Sequence, residues 1–262
     1  MNEYVLYNRP MQKHLFFDLD NTLTPSKSLI LEAHVPILKD MCEHVDVVVV
    51  SGHGEYDIRR HLRLELDGLY YILGQNGNRA ITKDGGILWN RSLSPDQKTA
   101  IELFIEWSRD DLRQSGMVAE VRDEDDIVED RDSQIAFSLI GHHEDKPKKD
   151  AFDPDFKKRR QILTDAVANG EMKKLTDAGV EARIGGTTNI DFFQLGCNKG
   201  HNVSEFLKSM RWRDEDCLYI GDALFPGGND ETVVGVIPTH AVKDYNETYV
   251  FLRELKNKAN MV

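Results

Sequence analysis

The chain has 262 residues, 40% of them hydrophobic and 30% charged, and its 45 Asp+Glu against 33 Lys+Arg give a formal charge of −12. A chain of this length buries roughly 70–75% of its unfolded surface and needs no staples to fold, as one large domain or two modest ones. The acidic balance argues against partners that are nucleic acids or anionic membranes, because both are held by Lys and Arg. No run approaches the ~18 apolar residues of a transmembrane helix, and the longest β-branched run is Val47 to Val50. Met1-Asn2-Glu3-Tyr4 does not open a signal peptide, and Cys42, Cys197 and Cys217 are an odd set without C-x-x-C spacing. A cytoplasmic protein with reduced thiols is the expectation.

Lys13 to Phe17 is a short apolar run that stops at Asp18, as a buried parallel strand does. A helical pattern follows from about Leu29 to Cys42, then a strand over Val45 to Val50 closed by Ser51-Gly52-His53-Gly54. Tyr56 to Leu66 reads as a helix, Leu69 to Leu73 as a third strand, and Arg79–Thr82 and Ile87–Trp89 as shorter ones around a Lys-Asp-Gly-Gly turn. This alternation predicts a parallel sheet. The pattern then changes. Ser94 and Gln97 form a capping-box start for a helix to about Leu112. Met117–Val121 and Gln134–Ile140 read as antiparallel strands around the acidic stretch Asp123 to Asp130, and a helix is expected from about Asp155 to Leu175. Val180–Ile184 and Asn189–Phe193 follow as strands. Residues 91–188 are read as an inserted α+β domain between two short hinges, with 1–90 and 189–262 forming the α/β core. Asn198–Met210 is then a helix, Cys217–Ile220 a buried strand and Val242–Lys256 a closing helix.

The sharpest chemical feature is Asp18-Leu19-Asp20-Asn21-Thr22 at the end of the first strand. Ligands of open parallel sheets bind at the carboxyl ends of the strands. One carboxylate there can attack phosphorus, and a second can move the proton of the leaving or entering oxygen. Two carboxylates facing a phosphate need a hard cation between them. Taken alone, the same residues could simply cap a turn. Ser51 and Gly52 also stand at a strand end, where a hydroxyl and backbone amides can hold a phosphate oxygen. Tyr219-Ile220-Gly221-Asp222 ends a further strand and is followed by Gly227-Gly228-Asn229-Asp230, while Lys199 opens the helix before it.

In this order the motifs resemble the haloacid dehalogenase-like phosphotransferases, whose core is a Rossmann-like parallel sheet carrying an inserted cap. The resemblance implies Asp18 as nucleophile and Mg²⁺ ligand. It implies Asp20 as general acid/base with its backbone carbonyl on the metal, and Ser51, Gly52 and Lys199 as holders of the phosphoryl group. Asp222, Asn229 and Asp230 would complete the metal shell. Asn21 stands where the commonest form of the motif has Gly. Arg131 to His142, Ile184 to Phe193, Thr24-Pro25 and the long Gly221–Asp230 loop resemble the eukaryotic-type phosphomannomutases over nearly the whole chain. That family implies a hexose phosphate substrate, a hexose 1,6-bisphosphate activator and a homodimer formed through the cap. Its distal phosphate site falls on Lys27, Arg131, His142 and Lys148 or Lys149, and its hydroxyl-binding residues on Asn189 and Asp191.

Two of the family's cap arginines are therefore His142 and a lysine here. Lysine keeps the charge but loses the guanidinium fork, and histidine is mostly neutral near pH 7. A weaker distal site would release the bisphosphate before it turns, which leaves a sugar-phosphate phosphatase as the alternative to a mutase. A non-catalytic phosphosugar-binding or interaction module is the rival from another class, and the full set Asp18, Asp20, Lys199, Asp222 and Asp230 argues against it.

Overall fold

A computed structural model describes residues 12–114 and 121–259. It divides into two units, Met1–Asn90 with Asn198–Val262, and Arg91–Cys197. In chain order the first unit begins with β1 (His14–Phe17), α1 (Val35–His44), β2 (Asp46–Val50), α2 (Glu55–Leu62), β3 (Tyr71–Gly74), β4 (Arg79–Ile81) and β5 (Ile87–Asn90). The second unit holds α3 (Pro95–Gln114), β6 (Val128–Asp130), β7 (Gln134–Ser138), α4 (Lys146–Phe152), α5 (Lys157–Ala168), α6 (Glu171–Asp177), β8 (Val180–Gly185) and β9 (Asn189–Gln194). The first unit resumes with α7 (Lys199–Met210), β10 (Cys217–Gly221), β11 (Thr239–Ala241) and α8 (Tyr245–Ala259).

The first unit is a seven-stranded sheet in the order β11-β10-β1-β2-β3-β4-β5. Its first five strands run parallel, and β4 and β5 turn back antiparallel. Side chains of a strand alternate between faces. Leu15, Phe17, Val47 and Val49 thus pack on one side with Leu38 and Met41 of α1 and Leu252 of α8. Phe16, Val48 and Val50 pack on the other with Val203 and Phe206 of α7. Both faces are covered, which is why β1 and β2 read as unbroken apolar runs. The switch in direction of chain progression lies at β1, whose neighbours are β10 and β2, and this puts Asp18 at the point where such sheets receive ligands.

The second unit is a four-stranded antiparallel sheet, β6-β7-β9-β8, over a core of Ile101, Phe104, Phe137, Ile162, Leu175 and Phe192. Its boundary corrects the expected one. Residues 189–197 belong with 91–188, because β9 pairs with β7 and β8 and not with the parallel sheet. The short, mostly buried run Asn189–Phe193 fits either sheet, so only pairing decides. The capping box holds as expected: Gln97 N donates to Ser94 Oγ at 3.2 Å and Ser94 N to Gln97 Oε1 at 2.9 Å.

Other bounds move for local reasons. The first helix starts at Val35 with Pro36 in its first turn, and Leu29 and Leu31 precede it on an exposed segment. α2 stops at Leu62 because Arg63 takes φ +68°, and Leu64–Leu66 form a 3₁₀ turn. The expected helix 155–175 is two helices parted at Asn169-Gly170, where Gly170 takes φ +80°, and Lys146–Phe152 is a further short helix. β6 and β11 were not expected; each has three residues, and β6 lies within the acidic stretch. The expected strand Met117–Val121 lies outside the described residues except for Val121, which is not in a strand.

A fully buried pair fixes the turn of the β8–β9 hairpin. Arg159 Nε donates to Asp153 Oδ2 at 2.8 Å, and Nη1 to the carbonyls of Gly185 at 2.8 Å, Gly186 at 2.9 Å and Asn189 at 3.2 Å. The guanidinium is therefore paired and spends its donors on carbonyls that would otherwise be unsatisfied in the interior.

Candidate active site

β1 and β10 end side by side, with Phe17 opposite Ile220, and Asp18 and Asp222 follow within two residues of these ends. The backbone continues the pairing for one step, as Asp18 N donates to the Ile220 carbonyl at 3.0 Å. Thr22 ties the two loops together: its hydroxyl donates to Asp222 Oδ1 at 3.3 Å and accepts from Asp222 N at 3.1 Å. The loop from Ala223 to Gly228 returns Asp230 to the same place, where it is fully buried. Gly221 is required there, because a Cβ at this position would collide with the Asp230 carboxylate.

Lys199, the first residue of α7, reaches the gap with its ammonium. Nζ donates to Asp18 Oδ1 at 2.6 Å and Asp230 Oδ1 at 2.7 Å, and the side chain is 1% exposed. Asn198 caps the helix by accepting from His201 N at 3.0 Å, which fixes where α7 begins and so where Lys199 points. Tyr219, an interior residue of β10, donates its hydroxyl to Asp230 Oδ1 at 2.7 Å. Burial beside Asp230 and Asp18 pushes the Tyr219 phenol well up, so it stays a donor.

Asp18, Asp222 and Asp230 offer oxygens that all lie within 4.8 Å of one another. Burial pushes Asp18 well above the usual carboxylate range, Asp230 and Asp222 add to this, and Lys199 opposes it. Burial and the Asp230 charge push Asp222 up to about 6. Burial alone would lower the Lys199 pKa, but Asp18 and Asp230 outweigh it and the ammonium is held charged. Three carboxylates against one ammonium leave an excess of negative charge in a dry place. That donor set fits a hard divalent cation, which binds through carboxylate oxygens.

A pH dependence follows. The folded pKa of Asp222 near 6 exceeds its ordinary value of 3.8, so between these values the folded chain binds the proton more tightly than the unfolded one. In the metal-free protein Asp222 is therefore expected to contribute, relative to Asp222→Asn, stability on the order of 1–3 kcal/mol that is lost as pH rises from 4 through 6. Thermal unfolding in chelator across this range measures it. Excess Mg²⁺ at pH 7.5 is expected to raise Tm, and an unchanged Tm would count against a cation among these carboxylates.

The remaining core residues lie around this group. Asp20 Oδ2 meets His53 Nε2 at 2.8 Å, and Asp20 Oδ1 accepts from Lys27 N at 2.5 Å. Burial would raise the Asp20 pKa, but the bond to His53, its charge and the Lys27 amide outweigh it and lower it. Ser51 is buried at the end of β2, and its hydroxyl accepts from His53 N at 3.2 Å. Gly52 follows it, half-buried beside the Asn76 side chain. Lys27 is exposed and touches Asp20 through its backbone. Asn229 is exposed, one residue before the buried Asp230.

In the second unit the expected cap residues also come together. Arg131 Nη2 donates to Glu129 Oε2 at 2.5 Å, and His142 Nδ1 lies 3.7 Å from the same oxygen. His142 Nε2 is 3.1 Å from the Ala136 carbonyl, and burial lowers its pKa. The buried Lys149 donates its ammonium to the His142 carbonyl. Asn189 and Asp191 sit on β9 opposite Ser138 and Ala136 of β7, and Thr188 Oγ1 donates to Asn189 Oδ1 at 3.3 Å. His53, Tyr219 and Glu129 were not singled out from the sequence, and Thr22 was read only as the last residue of the strand-end motif that starts at Asp18. Each was visible as a residue type, but its partner, except for Glu129, lies 11 to 200 positions away.

The first unit is thus a parallel sheet covered on both faces, with carboxylates and a buried lysine gathered at its carboxyl end. Residues 15–230 match the family model for haloacid dehalogenase-like hydrolases, and the chain belongs to that family. It is similar over nearly its whole length to phosphomannomutases. The protein from Saccharomyces cerevisiae is 23% identical, with 96% of this chain and 97% of the relative covered. Phosphomannomutase 1 of Dictyostelium discoideum is 23% identical over 91% and 94%, and the Oryza sativa subsp. indica enzyme 25% identical over 82% and 83%. Among solved structures, a haloacid dehalogenase-like hydrolase from Bacteroides thetaiotaomicron has the same fold at a TM-score of 0.62 and 14% identity, covering 93% of this chain and 99% of that one. The IMP-bound Plasmodium falciparum IMP-nucleotidase has a TM-score of 0.66 at 15% identity, over 97% and 70%. No helix among the described residues is long and apolar enough to cross a membrane.

Proposed function

We propose that this enzyme transfers the phosphoryl group of a hexose phosphate through an aspartyl-phosphate on Asp18, as a phosphomannomutase does. The observation that carries the reading is the Asp18–Lys199–Asp230 contact, with Asp222 alongside, at the carboxyl end of the parallel sheet. Asp18 Oδ1 is engaged by Lys199, so Oδ2 is the oxygen that attacks phosphorus. The bond from phosphorus to the sugar oxygen breaks, and Asp20 relays to that oxygen the proton that the phosphate monoanion brings. In the second half, Asp20 takes the proton of the incoming hydroxyl as it attacks the aspartyl-phosphate. Lys199 neutralises the charge on the transferring group, and the Ser51 hydroxyl and the amide of Gly52 orient it. Asp18, Asp222 and Asp230 would hold Mg²⁺, with Asp20 through its carbonyl and Asn229 in the outer shell. Bound there, the ion supplies positive charge that lets an anionic substrate approach three carboxylates.

The second unit would act as the cap, selecting the sugar through Arg131, His142, Lys149, Asn189 and Asp191, with Lys27 as a further cation. Here a specific observation favours a second reading, a sugar-phosphate phosphatase. His142 meets one backbone carbonyl and Lys149 donates to another, and Glu129 holds Arg131. A distal phosphate would have to compete with these acceptors, and a mutase must retain its bisphosphate between half-reactions. The test supplies mannose 1-phosphate with and without a hexose 1,6-bisphosphate. Bisphosphate-dependent formation of mannose 6-phosphate supports the mutase. Release of inorganic phosphate as the only reaction supports the phosphatase.

A further inference from the structure

His53 stands in the turn between β2 and α2, and it is held before it meets anything catalytic. Its N–H donates to Ser51 Oγ at 3.2 Å, and its carbonyl accepts from Gln75 N at 2.9 Å. Its ring meets the buried His61 edge to face, with centroids 5.1 Å apart. From this fixed position Nε2 reaches Asp20 Oδ2 at 2.8 Å, while Lys27 N holds Oδ1 at 2.5 Å. Each oxygen of the Asp20 carboxyl is thus held by a different segment, so the group cannot turn about its own bond without losing one of them.

We infer that His53 is a positioning residue that holds the Asp20 carboxyl where it meets the leaving oxygen. The inference rests on the function proposed above, in which Asp20 moves that proton. The step balances without His53 exchanging anything. Asp20, ionised in the free enzyme, takes the proton of the substrate's phosphate monoanion; an Asp18 oxygen bonds to phosphorus, the phosphorus–oxygen bond to the substrate breaks with its electron pair staying on the leaving oxygen, and Asp20 passes that proton to it. A positioned general acid contributes about 10²–10⁴-fold, and misplacement by about 1 Å costs about 10²-fold.

The need for that proton depends on the leaving group. A hexose alkoxide must be protonated as it departs, whereas p-nitrophenolate departs as a stable anion. A loss of Asp20 positioning therefore separates the two substrates, and general damage to the fold does not. The experiment compares kcat/KM for mannose 6-phosphate, with a hexose 1,6-bisphosphate supplied, and for p-nitrophenyl phosphate, because kcat/KM reports the phosphoryl-transfer steps at Asp18 and not the later release. His53→Ala is expected to lower the hexose value by about 100-fold and the aryl value by no more than about threefold. His53→Gln places an amide nitrogen near the position of Nε2 and should restore most of the hexose value. His53→Asn keeps a polar side chain too short to reach Asp20 and should show the same split as alanine, which preserves the test if the alanine variant does not fold. Equal losses on the two substrates, or an unchanged hexose value, would overturn the inference alone. A wild-type enzyme that turns over neither substrate would overturn the proposed function together with it.

Discussion

Asp18→Asn is expected to reduce phosphoryl transfer by about 10⁴-fold or more, since losing a covalent nucleophile costs most of the chemical acceleration. The amide is nearly isosteric, and its oxygen still accepts from Lys199, so the side chain stays in place. It lacks the electron-rich oxygen that bonds to phosphorus. Folding should not suffer. Asp18 is ionised only against burial and against Asp230 and Asp222, and removing its charge relieves that repulsion. The variant is therefore expected to be inactive and at least as heat-stable as the wild type in chelator. Steady-state phosphate release and thermal unfolding measure the two halves of this expectation. Retained activity would remove the nucleophile from the account.

Lys199→Met should fail in the opposite way, losing both stability and activity. The Lys199 ammonium stands between two carboxylates, one 5% and the other 0% exposed in its side chain, and is itself 1% exposed. Removing one partner of a buried ion pair costs about 3–5 kcal/mol, because the charges left behind are neither paired nor hydrated. Methionine fills the place of the stem, so little of the loss comes from a cavity. The deficit should be larger at pH 8 than at pH 5, where the carboxylates can take up protons. Turnover is expected to fall by about 10²–10³-fold, as when one preorganised charge on the transferring group is lost. Lys199→Arg should not rescue it, since a planar fork does not fit a slot closed around a point charge. Chemical denaturation at the two pH values, beside kcat, checks this. A variant as stable as the wild type at pH 8 would mean that the ammonium is not holding the carboxylates together.

Much of the fold was legible because β1, β2 and β10 are covered on two faces and read as unbroken apolar runs, each closed by a polar residue or glycine. The strand-end residues Asp18, Ser51 and Asp222 followed directly from those ends, and Lys199 from the start of α7. The cap boundary was not legible, since a short, mostly buried run such as Asn189–Phe193 satisfies either sheet and only the pairing with β7 and β8 assigns it. The break at Asn169-Gly170 was obscured by a helical pattern that continues on both sides. In the site itself, residue types were legible and partners were not. Tyr219 read as a core aromatic of β10, and its hydroxyl proves to bond Asp230. His53 was one letter of a turn until folding brought it to Asp20, 33 positions earlier. Arg131 and Lys149 were legible as cations and His142 as the residue in place of a family arginine, but the acceptors that engage them, Glu129 and two backbone carbonyls, follow from the strand geometry of the second unit.

The central claim is that Asp18 carries the phosphoryl group during turnover. The most direct measurement mixes enzyme, Mg²⁺ and hexose phosphate, quenches in acid within one turnover, and maps the phosphorylated peptide by mass spectrometry. The account predicts one acid-stable, base-labile phosphoryl group on the peptide containing Asp18, absent in Asp18→Asn. Turnover in which the group appears on another residue, or never becomes attached to the protein while product forms, would contradict it.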